Sequence, residues 1–129
     1  MEKYSAIFSR DALDDLFPKD RSNQFFDALF GDASEGAYDI VLEFVGAPAD
    51  NTLHFKLLLK QRPGKCLACN LTYGLPEVFS RHPILDIAGV AAKIATLIGH
   101  PTDQTEWKLG TTQSTSSELH SIPFTVRLH

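Results

Sequence analysis

Ile84, Leu85, Ile87, Ala88, Val90, Ala91, Ala92, Ile94, Ala95, Leu97 and Ile98 crowd into one segment, with only Asp86, Gly89, Lys93 and Thr96 between them. At about 100° per residue the apolar side chains cover roughly 240° of a helix surface. A helix with so narrow a polar stripe needs two packing partners, because leaving Val90 or Leu97 in water forgoes about 1.5–3 kcal/mol for each side chain. Pro83 suits a first helical turn, the residue before it is pushed out of the α region, and Gly99 with Pro101 ends the run. The spacing therefore predicts a helix over 83–98 that begins at His82-Pro83. Asp86, Lys93 and Thr96 interrupt it well before the roughly 20 apolar residues that a membrane span requires.

The rest of the chain must supply those partners. Ser9-Arg10-Asp11-Ala12-Leu13-Asp14-Asp15-Leu16-Phe17, closed by Pro18, reads as a first helix capped by Ser9, with Asp11 at the positive end of the dipole. A second helix follows from about Asp20 to Phe30, with Gly31 as its stop. Its Phe25, Phe26, Leu29 and Phe30 share one arc and are the expected internal cover for the 83–98 helix.

The period then changes to two. Tyr38, Ile40, Leu42 and Phe44 alternate with Asp39, Val41, Glu43 and Val45, and Leu53, Phe55, Leu57 and Leu59 with His54, Lys56, Leu58 and Lys60. Two half-buried strands follow, joined by a Gly46–Asn51 turn containing Pro48. After the Arg62-Pro63-Gly64 turn, Leu67, Cys69, Leu71 and Tyr73 continue the alternation. A one-residue slip flips every side chain, so face matching pairs Leu59 with Leu67, Leu57 with Cys69 and Phe55 with Leu71. The segment 74–82, with Pro76 inside it, reads as irregular and as the place to look for a pocket. Glu106-Trp107-Lys108-Leu109 and the alternating Ile122, Phe124, Val126 and Leu128 close the chain as strands, the latter at an edge because Pro123 cannot donate to a ladder. The Ser/Thr-rich Thr111–Ser117 segment between them reads as a polar hairpin tip.

The order α-α-β-β-β-α-β-β points to an α+β fold with about five mainly antiparallel strands and helices packed on one face. With 129 residues and ordinary apolar and charged fractions, one domain over 1–129 is expected, able to bury about two-thirds of its surface without metal or disulfide staples. A formal charge of −4 excludes a basic nucleic-acid footprint. Neither a signal-length apolar stretch nor a membrane span occurs, so a soluble cytoplasmic protein without membrane contact is expected.

Cys66-Leu67-Ala68-Cys69 is the most conspicuous chemical motif. Residues three apart on a strand point to opposite faces, about 10 Å apart, whereas a disulfide needs Cα atoms within about 7 Å. A zinc knuckle or a thioredoxin-type dithiol also needs a tight turn or a helix start at the pair. A core Cys69 and a half-exposed Cys66 are the simpler reading. None of the five histidines, His54, His82, His100, His120 and His129, forms a helical i, i+4 pair. His82 is placed to cap the helix that follows it. His54 could gather with Glu43 and Thr72 as a proton relay, although such trios are usually cross-strand pairs on a solvated face. Asp32 to Glu43 has the length of a calcium loop, but Ala37 stands where the loop requires glycine.

No phosphate-binding glycine loop or nucleophile elbow occurs, so no catalytic, cofactor or metal residue is assigned. The expected function is a binding or adaptor module, not an enzyme, with a lean toward a homodimer through the 83–98 helix. The alternative is a metal-binding or thiol-redox protein built on Cys66 and Cys69. The element order resembles the helix–three strands–helix–two strands plan of secretion-type chaperones, which implies a small, acidic, dimeric binder. That resemblance is one of order alone, and this chain closes on a strand where that plan closes on a helix.

Overall fold

The structure is a computed structural model that describes residues 2–18, 20–32, 36, 38–49, 51–64, 75–116 and 118–129. Three helices come first: α1 (Glu2–Ile7), α2 (Arg10–Leu16) and α3 (Asp20–Phe30). The hairpin β1 (Tyr38–Ala49) and β2 (Thr52–Gln61) follows. Then come α4 (Leu75–Arg81), α5 (Ile87–Leu97), β3 (Thr105–Leu109), β4 (Gln113–Ser114) and β5 (Leu119–Leu128). The strands form one antiparallel sheet in the order β1-β2-β5-β3, with β4 on β5. This is the expected α+β class. The anticipated strand over 67–73 lies outside the described residues.

The alternation places the side chains as it predicts. Tyr38, Ile40 and Leu42 of β1, Leu53, Phe55, Leu57 and Leu59 of β2, and Ile122, Phe124 and Val126 of β5 are buried in one core with Leu13, Leu16, Phe25, Phe79, Val90 and Ile94 of the helices. The opposite sheet face carries Asp39, Glu43, His54, Lys60, Glu106, Lys108 and Arg127, all exposed.

The partner of β2 differs from the expected one. One edge of β2 is taken by β1, with Leu42 opposite Leu57, and the other by β5, with Phe55 opposite Phe124, Leu57 opposite Ile122 and Leu59 opposite His120. Both edges of β2 are thus filled, and Leu67, Cys69 and Leu71, expected beside it, lie outside the described residues. Both candidate strands offer apolar residues at the same parity, so face matching alone does not separate them.

Pro123 also corrects the edge assignment, because β5 lies between β2 and β3. Its carbonyl accepts from Gly110 N at 2.8 Å, so its nitrogen faces the chain one residue beyond the end of β3. The missing N–H falls where the ladder has already stopped, and a central strand tolerates it. At the far edge, two groups from the helices blunt β1: Ser22 Oγ accepts from Ile40 N at 2.8 Å, and Arg10 donates to Leu42 O at 2.7 Å. Covering edge groups in this way removes a template for strand addition.

Ser9 caps α2 as anticipated, its Oγ accepting from Ala12 N at 3.3 Å. Gly31 ends α3 in the left-handed region at φ 79°, donating to Asp27 O at 2.8 Å. Phe25 and Phe26 of α3 pack against α4 and β1, while the side chains of Leu29 and Phe30, expected on the same face as cover for α5, lie outside those described. Phe25 packs edge-on to Phe79 of α4 and to His82, at 5.6 and 4.8 Å between ring centroids, and Phe26 meets Tyr38 at 5.0 Å. Arg62 locks α3 to the hairpin: it donates to Asn23 Oδ1 at 2.7 Å and to Asp39 Oδ1 at 3.0 Å, with its guanidinium 5.4 Å from the Phe26 ring centroid. Among the N-terminal helices, α2 adjoins α5.

The segment 74–82 is not irregular throughout, since Leu75–Arg81 is helical. Pro76 is compatible with that because a first turn needs no N–H donor. Nor does a helix start at Pro83. Residues 83–85 form a turn, His82 Nδ1 accepts from Ile84 N at 3.2 Å, and α5 begins after Asp86. Asp86 adopts φ 47°, ψ 55°, and its Oδ1 accepts from Gly89 N at 3.2 Å. Aspartate tolerates this left-handed geometry better than most residues, and its carboxylate fills the space where a Cβ at position 89 would stand. Asp86→Ala should therefore cost about 1–2 kcal/mol in a denaturant titration, whereas Asp86→Asn stays within about 0.5 kcal/mol of wild type.

Candidate functional site

Cys66, Cys69 and Thr72 lie outside the described residues. His54 stands opposite Gly46 on one side and Thr125 on the other, while Glu43 stands opposite Lys56, so the sheet does not pair His54 with Glu43. Glu43 belongs to β1, and Asp32 is exposed just beyond the end of α3.

The remaining histidines have structural partners. His82 braces the 83–85 turn, and His100 Nε2 lies 3.2 Å from Gln104 O. His120 is buried, its Nε2 3.5 Å from Ser114 Oγ, and His129 Nε2 meets Glu106 Oε2 at 3.0 Å. Among the described residues no three His, Cys, Asp or Glu side chains gather as a metal would require. Burial pushes the Tyr38 phenol well above its ordinary pKa, which keeps it neutral within the core.

Two concave surfaces stand out among the described residues. The first lies between α2 and α5. It has a volume of about 370 Å³ and is lined by Ala12, Asp15, Leu16, Ala92, Lys93, Thr96 and Leu97. Leu97 was expected to be enclosed on two sides, yet 46% of it is exposed, while Val90 on the same helix is buried. The short α2, closed by Phe17-Pro18, covers part of the wide apolar arc and leaves this end bare. Asp15 and Lys93 flank the groove with opposite charges, and neither has an ion-pair partner among the described residues.

The second is a cleft of about 440 Å³ at the β3–β5 end of the sheet, lined by Thr105, Glu106, Trp107, Lys108, Thr125 and Arg127. Here Glu106 stands opposite Arg127 and Lys108 opposite Thr125. Neither surface is lined by the described side chains of 78–82.

Sequence reasoning identified both strands of the cleft without joining them. The parity of Ile122, Phe124 and Val126 already sends Thr125 and Arg127 to the outer face, and that of Trp107 and Leu109 sends Glu106 and Lys108 there. Only the pairing of β3 with β5 makes them neighbours. Compared with known proteins, the chain matches no family model, no curated protein and no solved structure.

Proposed function

We propose that this protein is a non-catalytic binding module that works as a homodimer, joined through the groove between α2 and α5. The observation that carries this reading is Leu97, a large aliphatic side chain left 46% exposed beside an apolar groove. The same patch holds a projecting knob, Leu97, and a recess floored by the small side chains of Ala12 and Ala92. A surface with both is self-complementary under a two-fold axis. The charges follow the same rule, since Lys93 of one copy can face Asp15 of the partner subunit while Asp15 faces the partner's Lys93. A foreign helix would need a matching pattern of its own; a second copy already has it.

Sealing the exposed part of Leu97 contributes about 1 kcal/mol per copy. A micromolar pairing requires about 8 kcal/mol in all, so both helices must contribute along their length and the dimer depends on concentration. Sedimentation velocity should show it, and Leu97→Lys should give a monomer whose thermal melt stays near that of wild type. Asp15→Lys should weaken the dimer, and Asp15→Lys with Lys93→Asp should restore it. A wild-type chain that sediments as a monomer at every concentration would refute the reading.

A further inference from the structure

We propose that the cleft over β3 and β5 binds a small oxyanion, a phosphate or a carboxylate group, between Lys108, Thr125 and Arg127. The three side chains project from the outer face of the sheet, away from the helices. In register Lys108 is directly opposite Thr125, and Arg127 is the next residue of β5 on that face. Directly opposed side chains on a sheet stand about 5 Å apart at Cβ and diagonal ones about 7 Å. A planar guanidinium, an ammonium and a hydroxyl thus converge on one opening of about 440 Å³.

The distribution of charge is the second observation. Glu106 is the carboxylate directly opposite Arg127, and the expected outcome is a cross-strand ion pair. Instead Glu106 Oε2 lies 3.0 Å from His129 Nε2. Arg127 and Lys108 are left without an ion-pair partner among the described residues, although the chain as a whole carries a formal charge of −4. On the neighbouring strand His54 stands opposite Thr125 and Lys56 opposite Pro123, on the same face of the sheet but outside the lining of the cleft.

Each donor has a distinct part in recognition. Arg127 presents a fork that matches two oxygens at once, Lys108 supplies a compact positive charge, and the Thr125 hydroxyl donates to a third oxygen. A phosphate can use all three; a carboxylate uses two. Among the described residues that line the cleft, Glu106 is the carboxylate, and it weakens binding of either anion.

Nuclear magnetic resonance titration of the full chain tests this, with inorganic phosphate, acetate and chloride as separate probes at matched ionic strength. Phosphate or acetate should produce saturable shifts at the amides of Lys108, Thr125 and Arg127 with a dissociation constant on the order of 1 mM or below. The tighter of the two identifies the ligand class. Arg127→Gln and Lys108→Gln should each weaken binding at least about tenfold, and Glu106→Gln should tighten it severalfold. The exposed positions of these residues let the variants fold, and dispersed spectra verify it. Shifts that never saturate, that chloride reproduces, or that persist unchanged in Arg127→Gln would overturn the proposal. The Leu97→Lys chain should bind the anion as wild type does, so a failure here is separable from a failure of the dimer.

Discussion

Phe55→Ala is expected to cost about 3–5 kcal/mol, a large part of the net stability of a chain this size. Phe55 lies in one row across three strands, opposite Phe44 on β1 and Phe124 on β5. Its ring centroid is 5.3 Å from that of Phe44 and 5.8 Å from that of Phe124, and Phe8 meets it edge-on at 5.1 Å. The rings of Phe8, Phe44 and Phe124, from three segments, would lose their common contact, and the backbone of a central strand cannot collapse to fill the space. Urea titration should show a lower midpoint with an unchanged slope. Val45→Ala, on the exposed face of the same sheet, should stay within about 0.5 kcal/mol of wild type. Equal losses would mean that the register of β2 is wrong.

Gly36→Ala should cost about 1–3 kcal/mol although it adds a single methyl group. Gly36 is buried, and a Cβ at that position would fall within the van der Waals envelope of the Phe26 ring. That ring has little room to retreat. Phe25 flanks it at 5.2 Å, Tyr38 at 5.0 Å and the Arg62 guanidinium at 5.4 Å. The glycine is needed here for its missing side chain, not for an unusual backbone angle. Thermal melts of Gly36→Ala, Phe26→Leu and the double variant should show coupling, with the double variant more stable than the sum of the single losses. Strict additivity would place the two residues out of contact.

How much of this was legible varies with the range of the interaction. The strands at 38–45 and 53–60 declare themselves by period two, and every core-facing residue assigned to them is buried except Phe44, which is partly so. The Ser9 cap and the Gly31 stop are equally local. The helix that follows His82 was misjudged at its start because Pro83 is a good first-turn residue in isolation. Asp86 overrides it by folding its carboxylate onto Gly89 N. The strand that flanks β2 was misjudged because the nearer apolar run and the more distant one share a parity. The cleft was not legible at all. Glu106 and Lys108 meet Thr125 and Arg127 only through a ladder whose two strands are separated by β4 and its turns.

Local pattern alone settles which strand side chains turn inward, where α2 and α3 begin and end, and that the 84–98 segment is too apolar for a single support, but it does not show α1 or α4. Those properties follow from sterics and hydrogen bonds within a few residues of one another, and they hold whatever the chain does elsewhere. The tertiary structure alone decided that β5 and not a nearer strand lies beside β2, and that Pro123 can occupy the middle of a sheet. It also decided that the short α2 adjoins α5, which leaves Leu97 bare. Choices of this kind compare the burial available to the whole molecule in one arrangement with that in another. A local pattern reports that a surface must be covered; only the sum over all such surfaces decides what covers it.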